Sequence, residues 1–167
     1  MALSARTLGV AALVLRVITL GLLTASLAIL AAARVHRDAV YFGGVLLQPS
    51  YDFTFKDRYT YRYVFSVATI GCAYTLLLVP LAAVVAVQGR GIGGTSFVRF
   101  LIFTDVVFCA LFSTGGAAGL GYVFGYQLHE QGEPIRKFLY MVDASCGLLL
   151  GAAISTVVMI MISVYMK

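Results

Sequence analysis

The chain has 167 residues, of which 61% are hydrophobic and 11% charged, with a formal net charge of +5. A soluble domain of this length needs a polar surface, and this composition does not supply one. All but Arg16 of the twelve Lys and Arg residues fall singly or in pairs near the ends of apolar runs. That pattern suits anchoring at a membrane surface rather than a phosphate-binding stripe, so nucleic acid is set aside as a partner.

Four apolar runs follow one another, at about 7–33, 59–88, 97–125 and 138–166. About 20 residues at ~1.5 Å rise cross a ~30 Å hydrocarbon core, so each run is long enough to span a membrane. Backbone polar groups in lipid must be satisfied within the segment, which makes the spans helices. The expected fold is therefore an all-α membrane protein, a four-transmembrane-helix bundle forming one domain over 1–167.

The first run has the outline of a signal peptide, with Arg6 ahead of it and "AAA" near its end. It is too long for a signal core and is interrupted by Arg16, so it reads as the first span. Residues 34–58 form the longest connection, rich in aromatics and Gly, with a turn signal at "QPS". The second span contains Pro80, which removes one helical hydrogen bond and should kink the helix.

The connection at 89–96, "GRGIGGTS", matches G-x-G-x-x-G to the letter. It joins two membrane spans rather than following a soluble strand, and it lacks a Walker-type Lys. In the last connection, 126–137, His129 and Glu133 stand four apart, a helical metal-ligand spacing. Gly132 and Pro134 argue for a loop there and for a surface pair, so no metal or cofactor is expected. Cys72, Cys109 and Cys146 all lie inside spans, where they pack as small hydrophobes rather than as a disulfide framework. The absence of Asn leaves no N-glycosylation acceptor.

Connections one and three share one side of the membrane, and both termini share the other. The terminal side carries Arg6, Arg90, Arg99 and Lys167. The opposite side carries Arg34, Arg37, Lys56, Arg58, Arg62, Arg136 and Lys137. Counted by the positive-inside rule, this balance places the termini outside. Tyr59, Tyr61, Tyr63, Tyr122, Tyr126 and Tyr140 gather at the ends facing connections one and three, as an interfacial aromatic belt would.

Two ionisable residues lie deep in the spans. Asp105 is about 12 Å into the third and Arg16 about 13 Å into the first, at helical rise. Each charge alone costs about 2.5–3.5 kcal/mol in a membrane helix. These spans start on the same side, so the groups reach matching depth and are expected to pair as a structural staple. Asp143 and Arg62, nearer the opposite interface, form a second, weaker candidate pair. Gly115, Gly116 and Gly119, then Gly121 and Gly125, then Gly147 and Gly151 supply small faces for close helix packing, within the bundle or between copies. No catalytic constellation is present.

The segments "LVLRVITLGLLTASLAI", "YRYVFSVATIGCAYTLLLVP" and "FTDVVFCALFSTGGAAG" resemble the first three spans of the Casparian strip membrane domain proteins and their CASP-like relatives. The Arg16 and Asp105 combination is the most specific part of the likeness. No stretch like "TLPFFTQF" occurs within 34–58, so the resemblance is to CASP-like members. It implies a plant, MARVEL-related tetraspan of the plasma membrane with cytoplasmic termini, against the Lys/Arg count. It also implies a non-enzymatic scaffold that associates with itself or other family members, contacts membrane lipids and recruits cell-wall-modifying proteins. The alternative is a small oligomeric channel or transporter, whose polar path would draw on Ser113, Thr114, Ser145, Ser155 and Thr156.

Overall fold

The computed structural model describes residues 5–37, 40–42, 45–48, 51–54, 58–88, 95–127 and 133–165. Four long helices dominate it: α1 (Ala5–Ala32), α2 (Tyr59–Gln88), α3 (Thr95–Gln127) and α4 (Glu133–Tyr165). Each contains a segment long and apolar enough to cross a membrane. The protein is thus a four-helix membrane bundle. α2 continues through Pro80 as one helix. α4 begins earlier than the apolar pattern suggests, because Pro134 occupies its first turn, where a missing N–H breaks no helical bond. Glu133 accordingly belongs to α4 rather than to a loop; His129 and the glycine-rich connection at 89–94 lie outside the described residues.

The first connection, read from the sequence as a long aromatic- and Gly-rich loop, contains strands. These are β1 (Arg34–Arg37), β2 (Val40–Phe42), β3 (Val45–Gln48) and β4 (Tyr51–Thr54). β1 pairs antiparallel with β4, from Arg34 opposite Thr54 to Arg37 opposite Tyr51. β2 pairs antiparallel with β3 inside that outer pair, with an irregularity between Val40 and Tyr41. Val, Tyr and Phe recur through these strands, and such residues favour extended pairing. β1 lies beside α4.

The helices are arranged in a ring in chain order. α1 packs extensively on α2 and α4, and α3 packs on α4; the α2–α3 seam is the least extensive of the four. α1 and α3 therefore occupy one diagonal, and α2 and α4 the other. The interior is filled by Leu23, Leu30, Val64, Phe112, Val142, Cys146 and Leu149, all essentially buried. Tyr61 joins them instead of the interfacial belt, meeting Tyr122 and Phe138 edge-on at 5.3 and 5.6 Å between ring centres. Tyr59, Tyr63 and Tyr140 remain exposed. Leu76, Leu77, Phe100, Phe103, Ile154 and Met161 also face outward, as a surface solvated by lipid requires.

Many of the hydroxyls in the spans bond to a carbonyl of their own helix one turn back, including Thr24, Ser66, Thr69, Thr104 and Ser163. This back-bonding satisfies a donor that hydrocarbon would otherwise strand.

Helix approach is closest where α3 has no side chains. A Cβ at Gly119 would overlap the Cys146 sulfur, and one at Gly116 would come within 2.7 Å of Leu150. One at Gly115 would press on Leu149 of α4 and Val67 of α2. Gly151 has ordinary clearance from Leu22, whereas Gly121, Gly125 and Gly147 face open space. The first group of small residues is thus spent on packing the bundle, as is Gly71 of α2, where a Cβ would overlap the Phe112 ring. Gly119→Val should therefore lower stability by about 1–3 kcal/mol, the usual cost of overpacking a core. Gly121→Val should leave the melting temperature in detergent near wild type, and equal losses would contradict this assignment.

Candidate functional site

Asp105 of α3 and Arg16 of α1 are 1% and 8% exposed. The Arg16 Nη2 donates to Asp105 Oδ2 at 3.2 Å. This contact crosses the diagonal of the bundle, where the two helices have little other reason to meet. Tyr74 of α2 donates its phenolic O–H to the second carboxylate oxygen, Oδ1, at 2.7 Å. Its ring stacks on Phe108, one turn beyond Asp105, with centroids 4.0 Å apart and planes 8° from parallel.

Three helices thus converge on one carboxylate, and its location matters. Tyr74 and Phe108 bridge the α2–α3 seam, the least extensive contact in the ring. A charge-assisted hydrogen bond with a stacked ring gives that seam a directional tie that its apolar contacts lack. The ion pair offsets the cost of desolvating two charges, and removing either partner would strand the other in a low dielectric.

Further polar contacts tie α4 to its neighbours. Thr19 of α1 and Ser155 of α4 share a hydrogen bond at 2.8 Å. Ser26 and Ser145 are reciprocal: each hydroxyl reaches the other residue's carbonyl, at 2.9 and 3.0 Å, and the two oxygens are 2.8 Å apart. Cys109 of α3 makes a weaker contact with the Ala153 carbonyl at 3.8 Å. Cys72, Cys109 and Cys146 are free thiols. Among the described residues, no buried side-chain nitrogen or oxygen lacks a partner.

The structure brings Arg16 and Asp105 together but does not do so for Arg62 and Asp143. Arg62 is exposed, its guanidinium carbon 5.9 Å from the centre of the Tyr59 ring. Asp143 is half-buried on α4 and makes no ion pair or hydrogen bond among the described residues. The expectation of an internal pair fails for a rotational reason. α2 and α4 meet across the diagonal through inward-facing side chains such as Tyr61 and Phe138. Arg62 and Asp143 each follow a buried residue, Tyr61 and Val142, and so are turned ~100° away from the core.

Tyr74 completes the site without carrying a charge. A phenol in the middle of a span, far from either interfacial belt, needs a hydrogen-bond partner, and that depth is visible in the sequence.

The sequence profile of the Casparian strip membrane protein domain matches residues 5–155. The chain belongs to that family. A Sorghum bicolor relative named CASP-like protein 4D1 is 37% identical, over 93% of this chain and 89% of its own length. Proteins of the same name from Ricinus communis and Glycine max are 33% and 32% identical. These alignments cover 93% and 87% of this chain, and 89% and 80% of those relatives. No solved structure matches the chain. The family match includes all three helices that meet at Asp105, so the carboxylate and its two donors fall wholly inside the shared domain.

Asp105→Ala should cost about 3–5 kcal/mol, the range for breaking one side of a buried pair. Tyr74→Phe should cost less, about 1.5–3 kcal/mol for a hydrogen bond to a charged group. Thermal unfolding in detergent measures both. A cycle in which Arg16→Asp with Asp105→Arg recovers nothing over the single changes would argue against direct coupling.

Proposed function

We propose that this family member is a non-enzymatic scaffold of the plasma membrane, with both termini in the cytoplasm. It associates with further copies of itself or with other family members, organises a membrane subdomain in contact with the lipids, and gathers cell-wall-modifying proteins there. Family membership supports the class.

The observation that carries the reading is the closure of the polar interior. Asp105 has both oxygens engaged by donors from other helices. Each hydroxyl that a transport path would use is likewise occupied: Ser113 by the Cys109 carbonyl, Thr114 by the Leu111 carbonyl, and Thr156 by the Ala152 carbonyl. Ser145 and Ser155 are held by Ser26 and Thr19 of α1. A hydrated conduit needs polar groups turned toward water, whereas these are bonded to carbonyls of their own helices or to hydroxyls of α1. The same commitments leave Asp105 without a free face for acid–base work. What remains available to other molecules is the outer surface, which suits a protein that works by association.

Purified protein reconstituted in liposomes should pass protons and K+ no faster than protein-free vesicles. Tagged copies expressed together should co-purify, and a fluorescent fusion should recover slowly after photobleaching in the plasma membrane. Ion flux abolished by Ser155→Ala or Thr156→Ala would overturn the scaffold reading in favour of transport.

A further inference from the structure

We propose that Arg62 and Asp143 form an ion pair between two copies of this chain, docking the outer face of α2 on one copy against that of α4 on the next. The inference rests on the self-association proposed above and names the surface that performs it.

The two residues carry complementary charge. Arg62 is an exposed cation that lies by the Tyr59 ring and makes no ion pair among the described residues, and Asp143 is an acid seven residues inside the spanning segment that starts at Arg136. Such an acid is costly unless a cation reaches it. Within one chain the two sit on opposite diagonal corners and face away from each other. That arrangement forbids an internal pair but suits a head-to-tail contact, α2 of one copy against α4 of the next.

Depth also fits. Tyr61 touches Phe138, while Val64 and Cys146 both line the space at Gly119. Arg62 therefore lies level with residues between about 139 and 144 of α4, a window that contains Asp143. Two copies inserted in the same sense keep those levels, so the charges meet without vertical displacement.

Direction and bulk agree as well. α2 and α4 both start on the side of the first connection, so they run parallel when two copies stand side by side. Below Arg62 the exposed face of α2 continues with Ser66, Thr69 and Ala73. Below Asp143 the outer face of α4 continues with Ala144 and Gly147, and a Cβ at Gly147 would meet nothing. Small residues on both partners let backbones approach closely, which is how helices associate in lipid. Ser66 and Thr69 already bond the Arg62 and Phe65 carbonyls of their own helix, so a partner laid over them strands no donor. A contact between two different faces leaves one free face of each kind at the ends, so it propagates into rings or open arrays rather than stopping at a dimer.

The decisive experiment is complementation between copies. Differently tagged chains carry Arg62→Asp or Asp143→Arg. In either variant alone, like charges meet at every α2–α4 contact, and the yield of chemically cross-linked oligomer in nanodiscs or native membranes should fall severalfold. Mixed together, the variants present opposite charges again, and yield should return toward wild type. Both side chains lie off the core, so unchanged melting temperatures show that the monomer is intact. As a second measurement, a copy bearing Ser66→Cys should form a disulfide with a copy bearing Gly147→Cys, but not with a second copy of itself. Wild-type oligomers that ignore both charge variants, or variants whose mixture does not recover, would overturn the pairing while leaving self-association standing. A wild-type protein that is monomeric in the membrane would overturn both.

Discussion

A carboxylate in hydrocarbon must find a counter-charge or take up a proton, and the bundle is organised around that constraint. Asp105 cannot be neutralised by its own helix, so the helices carrying its partners have to come to it. Arg16 arrives from across the diagonal and Tyr74 from the neighbouring helix. Since the depth and facing of three helices must agree for both bonds to form, one residue limits the vertical register of most of the bundle. Apolar contacts cannot impose the same limit, because Leu against Leu is nearly as favourable after a slip of one turn as before it, and lipid is as apolar as either.

The remaining polar contacts extend the same logic around the ring. The Thr19–Ser155 and Ser26–Ser145 pairs hold α1 to α4 at two heights, and the glycines at 115, 116 and 119 bring α3 against α4. The α2–α3 seam, the least extensive of the four, receives the phenol–carboxylate bond and the Tyr74–Phe108 stack. With the interior's polar groups spent on each other, interaction with other molecules is left to the outward faces and the connections.

Those outward faces are not uniform. Much of the exterior is Leu, Ile, Val and Phe, which lipid solvates well. Arg62 and Asp143 interrupt it on opposite corners, each beside a run of small residues. A charge turned off the core within a membrane span is informative for the same reason as a buried one: hydrocarbon makes it costly without a counter-charge.

Much of this was legible from residue order. Hydrophobic run lengths located four helices, because the bilayer thickness sets a length that few soluble elements share. Matching depth nominated Arg16 and Asp105 as partners, since the cost of an intramembrane charge leaves few alternatives. The same reasoning nominated Arg62 and Asp143, and there depth was insufficient. Pairing also depends on which way a side chain is turned, and one residue of rotation past Tyr61 and Val142 carries both groups out of the core. The depth of Tyr74 marks it as a phenol in need of a partner, but only helix placement shows that the partner is Asp105. The nested hairpins at 34–54 were hidden because short strands with Gly between them resemble an irregular aromatic loop.

The sequence by itself determined that the chain lives in a membrane, crosses it four times and carries charges that must be neutralised there. Each of these follows from composition and length against a solvent of known thickness. Only the tertiary structure decided which helices are neighbours, which glycines face inward and which charges meet. Those outcomes depend on rotation about the helix axes and on the order of helices around the ring. Neither is encoded by periodicity alone in helices surrounded by apolar side chains and apolar solvent.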